Sequence, residues 1–321
     1  MNQSVDNQQS LSICQLSERS IFKITGEDSS KFMQGQLSCD MREVDLCNSL
    51  LGSHCNPKGS MLSIMRVQRI DDEYFLTVNR ENLAHSIANL NKYIMFSKAQ
   101  TEDIDSQWTG FGIFGEQAQK FIERQFSHVP QEAGGVVANA NRFLVRVPGN
   151  RYELWLKTAA AADFLAKPNV NANLLEYSHW KKHEILNAIA DINPLSSACY
   201  IPQMCNLQVF SGISFTKGCY TGQEVITRLH FRGKLNKFLI IAKYPTKSID
   251  NSLAIGSAIN CKTRDAIGKV LQYVTLADNT YLQIVVNYAY AQEALFLTDG
   301  TLIQTLDLPY LLDPELFIRK T

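Results

Sequence analysis

The chain has 321 residues, of which 45% are hydrophobic and 19% are charged, and its 31 basic residues balance its 31 acidic ones. This length and composition are typical of a folded protein with two domains and exclude an intrinsically disordered chain. A formal net charge of zero argues against a protein whose whole surface is made for nucleic acid.

The N-terminus and the cysteines together predict a reduced, cytoplasmic setting. Residues 1–19 contain neither a basic region nor an apolar run of about 7 to 15 residues, so they do not predict a secretory signal. The first dozen residues are expected to form a loose polar tail, and no apolar run approaches the roughly 18 residues that indicate a membrane helix. The eight cysteines include no C-x-x-C pair, so we expect reduced thiols, no bound metal and no membrane contact.

Residues 24–36 and 113–125 resemble each other at a constant offset of 89 residues, with identical Ile, Gly, Glu, Lys, Phe and Gln at matching places. Each copy predicts a β-strand that ends at a glycine, followed by a helix whose Glu and Lys lie on one face. The pattern therefore predicts a duplicated α+β unit.

Hydrophobic periodicity predicts the remaining elements. They are a strand at 73–78, a helix at 81–93, a hairpin of 141–147 and 152–156, and a helix at 178–190 that buries Trp180, Ile185 and Ile189. After about residue 234 the segments 238–244, 266–276, 281–287 and 295–305 are β-like, and Asp299-Gly300 is a hairpin signal. This part predicts a small antiparallel barrel or sandwich.

Residues 217–224 read Lys-Gly-Cys-Tyr-Thr-Gly-Gln-Glu and place a thiol between two glycines, which tolerate positive φ and close approach. A thiol reacts or binds metal as the thiolate, which a nearby cation such as Lys217 or Arg228 favours. The composition alone equally allows a buried cysteine on a tight turn. Residues 217–247 also carry seven basic residues against Glu224 alone, which predicts either a surface for a polyanion or a solvated basic surface.

This octapeptide, with Arg228 and the Phe231-Arg232-Gly233 step, resembles the YgfZ family, folate-binding proteins related to the T-protein (aminomethyltransferase) of the glycine cleavage system. Other segments that resemble the family, in order, are 32–36 with Asp40, 55–59, 92–98, 201–207 and 212–215. The resemblance implies an α+β fold. It divides the chain into a folate-binding region at 1–235, made of related units at about 15–107 and 108–235, and a C-terminal antiparallel β-barrel at 236–321.

The resemblance also implies the ligand and its contacts. T-proteins carry a Gly-x-x-Asp-Asp type segment whose first aspartate serves one-carbon transfer, and Leu62 occupies that place here. Since an isobutyl side chain neither accepts a proton nor stabilises a cation, aminomethyl transfer is not expected, whereas binding of tetrahydrofolate or a one-carbon derivative is. Trp180 aligns with one ligand-contacting tryptophan of the family, and Arg19 stands in place of the other. Trp108 and Trp155 are predicted to be core residues.

The implied function is a tetrahydrofolate-binding factor that supports iron–sulfur enzymes, notably those that thiomethylate tRNA. Cys219 is the predicted functional thiol, Lys217 or Arg228 its cationic partner, and bound folate is expected to face the same channel. The remaining functional-loop residues are Gly218, Tyr220, Gly222, Gln223 and Glu224. Three alternatives stay open: a one-carbon transferase, a module that binds tRNA directly through the basic stretch, and a scaffold that docks an acidic partner without chemistry.

Overall fold

The computed structural model describes residues 11–166, 172–246 and 253–319. Most of the predicted polar tail and Lys247 of the basic stretch lie outside these residues. The first part of the chain forms β1 (Ser12–Gln15), β2 (Arg19–Thr25), α1 (Ser29–Gln36), β3 (Leu50–Cys55), β4 (Met61–Ile70), β5 (Glu73–Asn79), α2 (Leu83–Ile94) and β6 (Gln100–Asp103).

The middle of the chain repeats strands and helices in a similar way. It forms β7 (Trp108–Phe114), α3 (Ala118–Glu123), β8 (Val136–Asn139), β9 (Arg142–Val147), β10 (Arg151–Lys157), α4 (Thr158–Ala166), β11 (Asn173–Leu174) and α5 (Tyr177–Leu186). The last part forms α6 (Gln223–Arg232), β12 (Lys237–Pro245), β13 (Ala258–Cys261), β14 (Gly268–Thr275), β15 (Asn279–Asn287), β16 (Leu295–Phe296) and β17 (Leu302–Leu306).

Two mixed layers of sheet and helix make up the region before α6. The first sheet has the order β3-β4-β5-β2-β6, and the second has the order β11-β1-β7-β10-β9-β8. Apolar residues of β2 and β5 form one buried cluster with Phe32 and Met33 of α1 and Leu90 of α2. A second cluster joins Phe75 of the first sheet to Trp108 and Trp155 of the second, so the two sheets share a core and both tryptophans are buried as predicted.

The duplicated strand–glycine–helix unit is present in both sheets. β2 leads through Gly26 into α1, and β7 leads through Gly115 into α3. Both glycines have positive φ, 110° and 100°, a conformation that residues with a Cβ adopt only at a cost. The domain boundaries near residues 107 and 235 stay predictions. The first two units are interlocked, since β1, at the start of the chain, pairs with β7 of the second unit.

The C-terminal strands close into a barrel with the order β12-β15-β14-β13-β16-β17, as the β-rich pattern predicted. Alternation along β12 divides its side chains between two cores. Phe238 and Ile240 lie in the cluster of the barrel, whereas Leu239 and Ile241 belong to the cluster shared with the α+β region. The barrel is therefore attached to the rest of the protein through the outer faces of its strands.

One predicted helix is shorter in the structure, and one strand of the barrel was not predicted. The helix predicted at 178–190 ends at Leu186, since Ala188 has a φ of +50° and cannot continue a right-handed helix. Its predicted core residues Trp180, Ile185 and Ile189 are nevertheless buried. β13 was missed because four residues carry little periodicity. Among the described residues, no helix is long and apolar enough to cross a membrane.

Candidate functional site

Lys217 is the anchor of the octapeptide loop. Its ammonium is buried and donates hydrogen bonds of 2.7 Å to the backbone carbonyls of Gln34, Leu37 and Cys39. The first of these carbonyls belongs to the last turn of α1, where helical C=O groups lack a partner within the helix. Burial lowers the pKa of Lys217 to about 8, so the side chain still carries its charge at neutral pH.

This placement differs from the predicted pairing of Lys217 with the Cys219 thiolate. The three protons of the ammonium are directed at three carbonyl oxygens, and the only further acceptor within 3.5 Å in the described residues is Oε1 of Gln34. The geometry gives Lys217 the role of a C-terminal cap for α1, supplied from a distant part of the chain. The loop is thereby held against the first unit of the fold.

Gly222 brings two of the family-like segments into contact. It has a φ of +85° and precedes the first residue of α6. A Cβ at this position would lie 2.7 Å from the carbonyl oxygen of Asn56 and 2.9 Å from Cα of Gly59. The turn of residues 55–59 and the octapeptide therefore meet backbone to backbone, at a distance that only glycine allows.

The other loop residues divide between core and surface. Tyr220 is buried, 4.7 Å from the ammonium of Lys217 to the ring centroid, and burial raises the pKa of its phenol. Gln223 donates weak hydrogen bonds of 3.4 Å to the carbonyls of Lys217 and Gly218, as expected for a residue that shapes the loop. Glu224 is exposed in the first turn of α6.

Cys219 and Arg228 lie at the surface. Cys219 is an exposed free thiol, and a Cβ at the neighbouring Gly218 would meet no atom within 4 Å. Arg228 is exposed on α6. Within the described part of the chain no group of three or more His, Cys, Asp or Glu side chains could hold a metal ion. The loop therefore exposes one thiol to solvent, and Lys217 and Gly222 anchor the backbone on either side of it.

A cluster of buried charges lies between the two sheets and the barrel. Arg19 donates to Glu184 at 2.7 Å and lies 3.4 Å from Asp191, while Lys181 lies 3.8 Å from Asp191. Burial alone would raise the pKa of Glu184, but the surrounding cations outweigh it and lower the pKa to about 2. Glu184 is therefore ionised at neutral pH.

Two further arginines belong to this cluster, and one of them has spare donors. Arg151 is 1% exposed, and its two terminal nitrogens make no hydrogen bond among the described residues. Arg66 is 7% exposed and donates to Ser49 at 3.4 Å. Burial lowers the pKa of Arg151 to about 10, so it stays charged. Because buried guanidinium groups are nearly always hydrogen-bonded, these donors indicate a place where a polar or anionic group is accommodated.

Trp180 is fully buried beside this cluster. The guanidinium of Arg151 lies 4.4 Å from its ring centroid, and a Cβ at Gly112 would collide with its benzo ring. The interpretation of Trp180 as an open platform under a pterin ring is not supported by this packing. Arg19, predicted as a second weak contact, is committed to the two acids. Trp180 instead positions Arg151.

A cavity of about 560 Å³ opens next to the charge cluster. Its polar wall contains the cations Arg80 and Lys181 and the acids Glu18, Glu81 and Asp191, and its apolar wall comes largely from β14. Residues 217–224 are absent from its described lining, so the expectation that Cys219 and the ligand face one channel is not met by this cavity. Asp191 connects the cavity to Arg19.

The sequence patterns pointed to Arg19 but missed Arg66, Arg151, Glu184 and Asp191. A usable signal was the presence of charged residues inside otherwise apolar strands, such as Arg66 in β4 and Glu153 in β10. Leu62 lies in β4, half-buried, and its carbonyl accepts from Ser197 at 3.1 Å. It brings no ionisable group to the site.

The chain is similar in sequence to proteins named tRNA-modifying protein YgfZ. The relative from Vibrio atlanticus is 30% identical over 312 residues, which are 95% of this chain and 94% of the relative. The relative from Colwellia psychrerythraea is 33% identical over 232 residues, which are 71% of this chain and 70% of the relative. The family model for the GCVT N-terminal domain matches residues 5–142.

In fold, the chain is similar to the glycine cleavage system aminomethyltransferase T from Bartonella henselae. The TM-score is 0.75, with 14% sequence identity and coverage of 97% of this chain and 88% of that one. At this identity the likeness concerns the fold alone. It confirms the α+β architecture with a C-terminal barrel that the family resemblance implied.

Proposed function

Because the chain belongs to the YgfZ family and shares the fold of the T-protein, we propose that it is a tetrahydrofolate-binding factor in tRNA modification. The tRNA-modifying role rests on the names of the relatives. The observation that carries the folate proposal is the cavity of about 560 Å³, whose wall includes the buried cation Lys181 and Arg80. We place its action in the cytoplasm, where an exposed thiol stays reduced.

The cavity suits a folate in size and in chemistry. Ligand pockets commonly span about 300 to 1,000 Å³, with apolar walls and a few polar groups that fix orientation. Leu271 and Val274 offer apolar surface for the flat rings, and Asn79 and Asp191 offer hydrogen-bond partners for a pterin edge. Lys181 and Arg80 offer positive charge for the glutamate carboxylates, although the same wall carries Glu18, Glu81 and Asp191 and Arg80 also pairs with Asp105. Tetrahydrofolate, when bound, would supply one-carbon chemistry or a reduced pterin.

Trp180 and Arg19 act in this proposal through other residues. Trp180 holds Arg151 in place, and Arg19 pairs with Glu184 and with Asp191, which lines the cavity. The direct folate contact that the family implies for Trp180 stays a prediction. Replacing the ring would release Arg151, which lines a separate small cavity with Arg19 and Glu184, so its effect on folate binding would pass through Arg19 and Asp191.

We propose that Cys219 is the residue that acts on iron–sulfur client enzymes. The thiol is exposed, while the other loop residues hold a rigid backbone beneath it. Arg228 on α6 is the remaining predicted cationic partner, since Lys217 is committed to α1. The clients implied by the family are the radical enzymes that thiomethylate tRNA, and an open surface thiol suits contact with another protein.

Calorimetric titration of tetrahydrofolate and of its methylene and formyl forms tests the ligand. Wild type and Cys219→Ala should bind at least one form with the same affinity, whereas Trp180→Ala should bind it more weakly. Trp155→Ala is the matched control, because Trp155 is equally buried but stacks on Phe143 rather than on a guanidinium, which separates loss of packing from loss of the charge cluster. Absence of binding to wild type would remove the folate proposal. Client activity should be lost in Cys219→Ala, and full activity would refute its assigned role.

The fold of an aminomethyltransferase keeps one-carbon transfer as a second candidate. Leu62 argues against it, since a carboxylate is absent at the position that the T-protein uses. Incubation of the protein with tetrahydrofolate and an aminomethyl or N-methyl donor decides between the two. Turnover by wild type would show that another group replaces the aspartate.

A further inference from the structure

The exposed end of α6 carries an aromatic side chain among cations. Phe231 is 56% exposed, Arg228 lies three residues before it on the same side of the helix, and the exposed Arg232 follows it in sequence. Lys234 and Lys237 follow directly and are exposed. We call the side chains of Phe231, Arg232, Lys234 and Lys237 the α6 surface.

The ring of Phe231 is held in place from behind. His230 stacks on Phe215 with ring centroids 3.7 Å apart and an interplanar angle of 10°. Phe231 meets the His230 ring at 80° and a centroid distance of 4.7 Å. A large exposed ring that packs against a stacked pair presents a fixed apolar surface, which neither helix stability nor the core requires.

Among the described residues, the cations of the α6 surface have no acidic partner in an ion pair. None of the ion pairs within the described residues involves Arg232, Lys234 or Lys237. Glu224 lies at the opposite end of α6, and Glu315 lines a small cavity together with His230. A cation near the C-terminus of a helix is favoured by the helix dipole, which accounts for Arg232. It does not account for Lys234, Lys237 or the exposed ring.

We propose that the α6 surface binds an unpaired segment of RNA, with a base stacked against Phe231 and phosphates beside Arg232, Lys234 and Lys237. Aromatic rings interleaved with cations are the means by which proteins hold single strands. A duplex hides its base faces, and an acidic protein partner would use the cations but has no need of the ring. The inference rests on the proposed role in tRNA modification, which brings RNA to the protein.

The geometry connects this surface to the thiol. Cys219 lies just before the first turn of α6, and the α6 surface lies at its other end. A helix of ten residues is roughly 15 Å long at about 1.5 Å per residue. RNA on the α6 surface would lie beside a client enzyme that meets Cys219, so the helix would hold the RNA substrate and its modifying enzyme next to each other.

Fluorescence anisotropy with a labelled RNA hairpin that has an unpaired loop, and with a blunt duplex of the same stem, tests the proposal. Wild type should prefer the hairpin. Phe231→Ala should weaken hairpin binding about tenfold, the size of one lost base stack. Between about 50 and about 200 mM salt, Arg232→Glu with Lys234→Glu should reduce the logarithmic salt slope by roughly 1.4, since each single-strand phosphate contact contributes about 0.7.

Two matched variants control for general effects: Phe96→Ala, an exposed phenylalanine after α2, and Lys120→Glu with Arg124→Glu at α3. Both should bind the hairpin like wild type. Equal loss in the controls, equal affinity for duplex and hairpin, or no binding at low salt would each overturn the proposal. The proposal would also be overturned if the α6 variants bound the RNA hairpin like wild type but no longer bound a purified client enzyme. The affinity of the same variants for tetrahydrofolate should equal that of wild type. Absence of tetrahydrofolate binding in wild type itself would refute the proposed function, not the RNA proposal.

Discussion

Replacing Lys217 by methionine should destabilise the protein through α1 rather than through the thiol. Methionine keeps much of the length and apolar stem but removes the ammonium that donates to Gln34, Leu37 and Cys39 at 2.7 Å each. The three carbonyl oxygens then lose a charged donor in a buried place. The last turn of α1 should loosen first.

The size of the effect follows from those three bonds. An unsatisfied buried acceptor costs about 1 to 3 kcal/mol, and the lower value applies here because removal of the charge also relieves the desolvation of the ammonium. Three such groups give a loss of about 3 kcal/mol in the free energy of unfolding. For a chain longer than about 200 residues this corresponds to a fall of roughly 6 °C in the thermal midpoint.

Differential scanning calorimetry measures this loss, with Lys31→Met as the control because Lys31 is exposed on the same helix. The control should stay within about 0.5 kcal/mol of wild type. Alkylation of Cys219 by iodoacetamide over a range of pH should have the same pH profile in Lys217→Met and wild type. A destabilisation below about 1 kcal/mol, or a profile displaced to higher pH, would refute the capping role and restore the pairing with the thiolate.

Two further predictions concern the charge cluster and the loop. The pKa of Glu184 is about 2 in the folded protein, below its ordinary value of 4.5, so its contribution to stability is present above about pH 4.5 and is lost as pH falls toward 2. Chemical denaturation from pH 7 to pH 3 should show about 2 kcal/mol of acid sensitivity that Glu184→Gln lacks, and parallel curves would contradict the ion-pair assignment. Gly222→Ala should cost about 2 kcal/mol or more, since it combines a left-handed φ with a clash against Asn56, whereas Gly218→Ala should stay within about 0.5 kcal/mol. Equal melting temperatures for the two glycine variants would contradict this prediction, because they would show that the loop can rearrange to accommodate a Cβ at residue 222.

Local elements could be predicted because their signals are local. Both strand–glycine–helix units, and the hairpin of β9 and β10, depend on side chains close together in sequence. The end of α5 could not be predicted, since Ala188 takes a left-handed conformation that its side chain does not favour. Tertiary packing decides that residue.

The site was predicted less well because its contacts join distant residues. Lys217 meets Gln34 across 183 positions, and Arg19 meets Glu184 across 165. In sequence, a lysine beside a cysteine is equally consistent with a partner for the thiolate and with a structural cap. Trp180 has the same ambiguity, since an aromatic residue on a helix gives no sign of whether its ring is open to a ligand or covered.

The separation of β1 and β2 into different sheets has a consequence for synthesis. β2 can join the first sheet as soon as β5 and β6 emerge, but β1 pairs with β7 and β11, and β7 begins at residue 108. At about 5 to 20 residues per second, β1 is translated roughly 5 to 20 s before β7. During that interval Ile13 and its neighbours are an unpaired apolar strand beside a nearly complete sheet. Within the nascent chain, β1 is therefore the strand with the longest opportunity to pair wrongly. The second sheet is complete only when β1, which is translated before the first unit, pairs with β7 and β11.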